Sequence, residues 1–294
     1  MSSAATSGTR YAIVRGGNLI DENRGDTVVP WFSFTKAIIA AAALTLVRDG
    51  IFQLDAPLDS ERYTIRHLLQ HRADLPDYGS LREYHEAVAR HDAPWSVDEV
   101  LKRTDAGRSR YEPGHGWGYS NIGYVLVRNL ITRAADAPFE TVLAGRIFQP
   151  LGIKTARLAS QPDDLTRVEM GEVKDYHPGW VYHGLIVGTV SDAALLLDRL
   201  LGGDLLPASL LGEIQRGHTV DAAPSDRPWQ APHYGLGLMM EGADGPVGHT
   251  GGGAGSVIAV YRSRNRAVPL SVAAFAPGDN IGSVERFAFA KLRD

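Results

Sequence analysis

Apolar and polar residues follow several different rhythms along this chain of 294 residues. Near the start, residues 11–14 and 18–21 form short runs on either side of the glycines at 16–17, which predicts a β-hairpin. Residues 36–48 (KAIIAAAALTLVR) are apolar on nearly every face, which predicts a buried helix. Gly50 suits the left-handed position that often ends a helix.

The middle of the chain has a helical rhythm. Between residues 61 and 165 apolar positions recur every three to four residues, with no clear strand alternation. Residues 191–201 form another apolar helix. The other predicted helices are residues 65–71, 97–103, 122–133 and 139–147.

The rhythm changes again after Gln230. Strand-like segments, separated by turns that contain Gly, Asn or Pro, predict a second group of β-strands. A helix at about residues 282–292 closes the chain. The predicted strands are residues 234–241, 256–262 and 269–275.

Strands at both ends and helices between them predict an α+β fold, with a central antiparallel β-sheet flanked by helices and an all-helical insertion. We expect residues 1–60 and 181–294 to form a discontinuous sheet domain and residues 61–180 a mainly helical domain. Sites favour clefts between such parts, so we expect the active site there.

Composition narrows the function classes. The formal net charge is −4, so no basic excess points to nucleic acid or anionic lipid. The absence of cysteine excludes disulfides, thiolate catalysis and cysteine-based zinc sites. The polar N-terminus does not resemble a signal peptide, and the longest apolar run, residues 37–44, is far below the roughly 20 residues of a membrane span. We therefore expect a soluble, cytoplasmic protein that does not bind membranes.

The first chemical motif is Ser33 with Lys36. A separation of three residues places both on one helix face, so the lysine nitrogen can reach the serine hydroxyl. A serine hydroxyl becomes a good nucleophile only when a base takes its proton. Apolar neighbours favour the neutral form of lysine, which can act as that base. The alternative is a helix-capping serine beside a surface lysine.

The second motif is Tyr119 with Asn121, in a loop rich in glycine that follows Pro113. A phenol near the ammonium of Lys36 would have its anion stabilised and could act as the general base. The amide of Asn121 could hold a substrate carbonyl and the lysine. The alternative is an aromatic core residue followed by a helix-capping asparagine.

The third motif is His249, Thr250, Gly251 and Gly252. A glycine-rich strand edge lets backbone amides approach a substrate closely. The amides of Ser33 and Gly252 are expected to form an oxyanion hole, and His249 could orient or protonate groups near neutral pH. Phosphate binding is discounted because the Gly-Lys-Ser/Thr end of a phosphate loop is missing.

Metal binding has little support in the sequence. His67 and His71 are four residues apart but lack the glutamate of a zinc helix, which favours core or surface histidines. The aromatic group around Trp180, Tyr182 and His183 fits either a substrate wall or ordinary packing. We expect no cofactor and no metal.

Taken together, these motifs resemble the serine β-lactamase and penicillin-binding-protein superfamily, specifically its class C β-lactamase-like branch. This branch includes D-aminopeptidases, DD-carboxypeptidases and family VIII esterases. Further similar segments are residues 64–71, 113–114, 123–124, 147–153 and 188–192.

The resemblance implies a β-lactamase/transpeptidase-like fold and assigns roles. Ser33 would be the acylated nucleophile, Lys36 its proton partner and Tyr119 the base or acid. Asn121 would polarise the substrate, with His249, Thr250 and Gly251 flanking it.

Two departures from the family pattern matter. Residues 72–74 are Arg-Ala-Asp where the family has Thr-Ser-Gly, which suggests a reshaped loop at the rim of the site. The third motif begins with His249, where class C β-lactamases usually have lysine, and this is more similar to the peptidases and esterases. A counterpart of the deacylating glutamate of class A enzymes is missing, and Glu169 is expected at the surface.

The resulting hypothesis is a serine hydrolase that cleaves an ester or amide through an acyl-enzyme on Ser33, of the esterase or D-amino-acid amidase type. Its partner would be a small ester, amide or short peptide. The alternatives are a β-lactamase or DD-carboxypeptidase, an acyltransferase, and a non-catalytic binding protein of the same fold. The sequence leaves the oligomeric state open.

Overall fold

A computed structural model describes residues 8–58, 61–105, 107, 110–221 and 226–294. Within these residues the strands are β1 (Arg10–Arg15), β2 (Asn18–Asn23), β3 (Val28–Pro30), β4 (Arg157–Ala159), β5 (Leu185–Thr189), β6 (His218–Thr219), β7 (Pro232–Tyr234), β8 (Met239–Glu241), β9 (Val247–Gly253), β10 (Ser256–Arg262) and β11 (Leu270–Pro277).

The helices of the same residues alternate with short 3₁₀ turns. They are α1 (Thr35–Arg48), α2 (Ile65–Leu69), α3 (Arg82–Ala89), α4 (Val97–Arg103), α5 (Asn121–Ala135), α6 (Phe139–Leu143), α7 (Val190–Gly202), α8 (Ala208–Ile214) and α9 (Ile281–Arg293). A π-helical turn, Ala144–Phe148, extends α6.

The main sheet combines strands from both ends of the chain. Its order is β2-β1-β11-β10-β9-β8-β7-β6, and its paired strands are antiparallel. A smaller sheet has the order β3-β5-β4. This architecture confirms the predicted α+β fold with a central antiparallel sheet flanked by helices.

Both faces of the main sheet are covered, as β10 shows. Val257, Ala259 and Tyr261 pack into the cluster that contains residues of α9. Ile258 and Val260 pack into the larger core that contains α1 and α7. Side chains of a strand point alternately to its two faces, so coverage of both explains why this strand is apolar at nearly every position.

Helix α1 is the buried helix that the sequence predicted. Its residues from Thr35 to Leu46 are all buried, and it contacts α5, α8 and β9. Gly50 has a φ of +74°, the left-handed conformation expected after the helix. Because α1 lies in the core, its first turn holds side chains in a fixed position beneath the cleft.

Of two further local predictions, the N-terminal hairpin is confirmed and one strand is wrong. The hairpin β1–β2 is confirmed. The predicted strand over residues 234–241 is wrong, since β7 and β8 are separate strands joined by a turn. At Gly237, φ is +71° and a Cβ would lie 2.6 Å from the carbonyl oxygen of Lys36, so the turn fits against α1 only with glycine.

The predicted domain division is not decided by the strand pairing. Strand β4 lies inside the predicted helical segment 61–180, yet it pairs with β5, which follows that segment. Strands of three residues carry little alternation, so β3 and β4 had no clear signal in the sequence. The two-domain division stays a prediction.

In the described part of the chain, no helix is both long and apolar enough to cross a membrane.

Candidate active site

Ser33 lies in a 3₁₀ turn, Phe32–Phe34, directly before α1. The preceding Phe32 has a φ of +39°, a left-handed conformation that is rare for an aromatic residue. The expectation that Ser33 lies on the helix itself needs a small correction, because α1 begins two residues later. The turn still keeps helical spacing, and the Nζ atom of Lys36 is 3.0 Å from the Oγ atom of Ser33.

Lys36 is fully buried, and its hydrogen-bond partners are uncharged groups. Besides Ser33, the Nζ atom is 2.6 Å from the Oδ1 atom of Asn121 and 3.4 Å from the Nε2 atom of His183. Burial lowers the pKa of Lys36 to about 7, and the negative charge of Asp77 opposes this decrease. A large fraction of Lys36 is therefore neutral at physiological pH and able to accept a proton.

Tyr119 approaches Ser33 from another side. Its hydroxyl donates a hydrogen bond of 3.0 Å to the Oγ atom of Ser33. Burial raises the pKa of Tyr119 well above its usual value, although the hydrogen bond to Ser33 opposes this shift. Burial therefore favours the neutral phenol, which can donate a proton, whereas the tyrosinate base stabilised by Lys36 stays a prediction.

Asn121 begins α5 and faces Lys36. Its side-chain amide nitrogen donates to the Oδ1 atom of Asp77 over 2.9 Å, and its backbone N–H donates to the same oxygen over 3.0 Å. Asp77 thus fixes which end of the amide points at the lysine. Sequence reasoning missed Asp77, because an aspartate after proline in a polar loop is indistinguishable from an ordinary turn residue.

The third motif forms β9, which runs past the nucleophile. At Gly251 a Cβ would lie 2.3 Å from the carbonyl oxygen of Trp31 and 2.9 Å from the backbone nitrogen of Ser33. Only glycine allows this close approach. Gly252 is exposed and Thr250 is buried, and both line a cavity beside Ser33.

His249 does not form part of the cleft wall, which corrects the expectation from the sequence. Its ring is fully buried, with Nε2 3.0 Å from the hydroxyl of Tyr234 and Nδ1 2.7 Å from the carbonyl oxygen of Thr250. Burial lowers the pKa of His249 to about 3, helped by the charge of Lys36. This environment favours the neutral ring and does not support a proton-transfer role near neutral pH.

Two cavities meet at Ser33. The larger, of about 480 Å³, is bordered by Trp117, Trp229 and Arg227 among others. The smaller, of about 350 Å³, has four aromatic residues of the Phe and Tyr types in a wall that is otherwise mixed. Ser33, Asn121 and Gly252 line both cavities. A serine between two cavities has free space on two sides of its hydroxyl.

Arg227 is a second site residue that the sequence did not reveal. Its Nε atom donates to the Oε2 atom of Glu285 over 2.8 Å, and a second guanidinium nitrogen contacts the other carboxylate oxygen. Glu285 is fully buried and also accepts from Trp229 over 3.1 Å. Burial lowers the pKa of Arg227, but Glu285 outweighs this and leaves the pKa raised. The pair places a neutralised cation in the wall of the larger cavity.

Three further residues noted in the sequence do not line either cavity. His71 is buried, with its Nδ1 atom accepting from the backbone of Ser120 over 3.1 Å. Glu169 is one-quarter exposed and pairs with Arg10. Asp74, in the unusual 72–74 segment, has a φ of +61°. Among the described residues no cluster of three or more histidines and acidic residues is arranged to hold a metal ion.

Comparisons with known proteins identify the family of the chain. The model of a family described as Beta-lactamase matches residues 1–285. Penicillin-binding protein 4* of Bacillus subtilis is 30% identical over 156 residues, or 49% of this chain and 34% of that protein. The D-alanyl-D-alanine-carboxypeptidase/endopeptidase AmpH of Escherichia coli is 24% identical over 276 residues, or 84% of this chain and 70% of that protein.

A solved structure gives a similar result. The D-amino acid amidase from Ochrobactrum anthropi SV3 has a TM-score of 0.75 and 26% identity, with coverage of 91% of this chain and 85% of that chain. The chain spans only about a third of the length of the penicillin-binding protein that it matches.

Proposed function

Because the chain belongs to the Beta-lactamase family, we propose that it is a serine hydrolase that cleaves esters or amides through an acyl-enzyme on Ser33. One observation carries this proposal. The Oγ atom of Ser33 lies 3.0 Å from both a lysine nitrogen and a tyrosine hydroxyl, at the junction of two cavities. A nucleophile, a base and a proton donor within hydrogen-bond reach of one another are what acyl transfer requires.

In acylation, neutral Lys36 accepts the proton of Ser33 while Oγ bonds to the substrate carbonyl carbon. The bond to the leaving group then breaks, and the leaving group takes up a proton from Tyr119, which the Lys36 ammonium later restores. A pKa of about 7 suits Lys36 to this exchange, since a base works best with a pKa near the working pH.

The negative charge that develops on the carbonyl oxygen needs donors. We assign this role to the backbone N–H groups of Ser33 and Gly252, because β9 passes close to the nucleophile turn at Gly251. A donor of this kind stabilises the transition state by about 3 kcal/mol. In deacylation, water replaces the leaving group, and the same groups act in reverse.

The smaller cavity supports an apolar or aromatic acyl group. Its wall includes Phe32, Tyr78, Tyr84 and Tyr176, and aromatic walls favour apolar ligands through burial. The likeness to a D-amino acid amidase, together with these aromatic residues, supports amides of aromatic D-amino acids as substrates. In the larger cavity Arg227 is neutralised by Glu285, so we propose neutral leaving groups, and place carboxylate-ended peptides and β-lactams second.

The first experiment tests the nucleophile. The intact protein is mixed briefly with an activated short-chain aryl ester, and its mass is compared with that of Ser33→Ala and of Ser191→Ala, a serine in the first turn of α7. An acyl increment, or phenol release, in the wild type and in Ser191→Ala alone supports the proposal. An equal increment in Ser33→Ala contradicts it.

A substrate panel then tests the proposed class. We expect turnover of D-phenylalanine amide above that of its L enantiomer, and turnover of neutral aryl esters above that of D-alanyl-D-alanine or a chromogenic cephalosporin. A clear preference for the cephalosporin or for the dipeptide would replace the proposed class with a β-lactamase or a carboxypeptidase. Adding an alcohol or amine acceptor shows whether the acyl group passes to water or to the acceptor.

A further inference from the structure

His183 is a buried histidine that the mechanism above does not use. It lies just before β5, is 2% exposed, and places its Nε2 atom 3.4 Å from the Nζ atom of Lys36. Its Nδ1 atom is buried without a hydrogen-bond partner of normal geometry. A polar ring enclosed in this way beside the lysine calls for a functional explanation.

The number of donors on Lys36 gives that explanation. A neutral amine has two N–H donors and one lone pair. Asp77 fixes the amide of Asn121 so that its oxygen faces Lys36, and this oxygen can only accept. If the Nε2 atom of His183 also accepts, both N–H donors are occupied. The lone pair then has one remaining direction, toward the hydroxyl of Ser33.

We propose that His183 is a positioning residue: as the Nδ1–H tautomer it accepts an N–H of Lys36 at Nε2 and so directs the lysine lone pair at Ser33. This inference rests on the proposed function, because it assigns a role within the same acylation step. No new bond is formed or broken by His183, and its proton remains on Nδ1 throughout.

The surroundings keep the ring neutral, as the role requires. Burial lowers the pKa of His183 well below its usual value, and a positive charge on Lys36 or Arg128 acts in the same direction. Only a backbone hydrogen bond with Phe32 opposes them. A charged imidazolium would have no acceptor to offer the lysine, so neutrality is a condition of the proposal.

Two substitutions separate hydrogen bonding from packing. His183→Leu keeps the bulk and removes the acceptor, whereas His183→Gln places an amide oxygen near the position of Nε2. We expect the leucine variant to lose roughly 10²-fold in kcat with little change in KM, because a misdirected base costs about that much. The glutamine variant should remain within about fivefold of the wild type.

The pH profile adds a readout that packing would not move. In His183→Leu the Lys36 ammonium loses one of three acceptors, so the acid limb of the acylation rate should move to lower pH. The matched control is His115→Gln, which should behave as the wild type because His115 is exposed and lines neither cavity. Wild-type kcat and an unmoved acid limb in His183→Leu would overturn the proposal, and so would equal losses in the leucine and glutamine variants.

A measurement on the wild type does not depend on the activity of any variant. In protein labelled with ¹⁵N-histidine, nuclear magnetic resonance reports which ring nitrogen carries the proton, and the His183→Gln spectrum assigns the signal. We expect Nδ1 protonated and Nε2 free between pH 6 and about 9. A protonated Nε2 over this range contradicts the inference.

If the wild type neither turns over an ester nor forms an adduct, the proposed function fails. Normal turnover by both the wild type and His183→Leu removes only the role of His183.

Discussion

Two cations lie at this site, Arg227 mostly buried and Lys36 fully buried, and their pKa values are shifted in opposite directions. Arg227 forms two contacts with the carboxylate of Glu285, which hold its pKa above the usual value despite burial. Lys36 is held by a hydroxyl, an amide and an imidazole, and burial lowers its pKa to about 7. A full counter-charge in contact keeps the first cation charged, and neutral partners let the second lose its proton.

The difference shows how one cleft can hold a structural cation and a base. The carboxylate that raises the pKa of Lys36 is that of Asp77, which forms a hydrogen bond with Asn121 and not with the lysine itself. Because Asp77 does not contact the lysine, its charge only partly offsets the decrease in the pKa of Lys36 and does not keep the lysine charged. The contacting groups, more than burial alone, decide which cation can take part in proton transfer.

The strongest way to break this comparison is to remove the base. In Lys36→Met we expect the rate of Ser33 acylation to fall by about 10³-fold or more, within the range for loss of a general base. The measurement is single-turnover acylation by an aryl ester, followed by intact mass. Lys102→Met, which changes a lysine in the last turn of α4, is the control and should behave as the wild type.

Removing the counter-charge should affect folding before chemistry. In Glu285→Gln the guanidinium of Arg227 stays buried without its carboxylate, which should lower the free energy of unfolding by about 3–5 kcal/mol. Urea unfolding measures this change. Glu83→Gln, which removes an exposed partner of Arg103, should cost less than about 1 kcal/mol. Equal losses of unfolding free energy in the two variants would show that the buried carboxylate of Glu285 is no more important for stability than the exposed one of Glu83.

The pH dependence of stability tests whether the pKa of Lys36 is lowered in the folded protein. Its pKa is about 7 in the folded protein against an ordinary value of 10.5. The unfolded chain therefore holds the extra proton between these values, and stability from this group rises as pH increases. The difference in unfolding free energy between wild type and Lys36→Met should shift in favour of the wild type by about 3 kcal/mol from pH 7 to pH 10. A constant difference would mean that Lys36 is charged in the folded protein.

The smallest expected effect concerns Asp77. Asp77→Asn keeps the shape but removes the charge that raises the pKa of Lys36. We expect the acid limb of the acylation rate to move below pH 7, with a loss of about tenfold in rate because Asn121 is held less firmly. Asp55→Asn, which changes an exposed partner of Arg66, should leave both unchanged. A limb that moves upward in Asp77→Asn would contradict the sign of this interaction.

Sequence patterns located the parts of the site that are local in the chain. Ser33 and Lys36 are three residues apart, and Tyr119 and Asn121 two apart, so each pair could be placed by turn and helix geometry. Asp77, Arg227 and Glu285 were missed, and His183 was noted only as part of an aromatic group, because contacts distant in the chain define their roles. The contact between Lys36 and His183, for example, spans 147 residues.

The error at His249 has a different origin. His249 pairs with Val260 across β9 and β10, and Val260 belongs to the core that contains α1. Cross-strand partners share a face, so His249 points into that core while Gly252 reaches the cleft. The glycines signalled a close approach correctly, but a histidine beside them does not reveal its face until the register of the strand is known.

The central claim is that Lys36 is the base and is neutral near physiological pH. The most direct test is the pH dependence of Ser33 acylation by a neutral aryl ester, measured by rapid mixing from pH 5 to about 10. We predict a rate that rises tenfold per pH unit at low pH and levels off above a single pKa of about 7, a transition absent in Lys36→Met. A rate independent of pH in this range, or one that still rises at pH 10, would contradict the account.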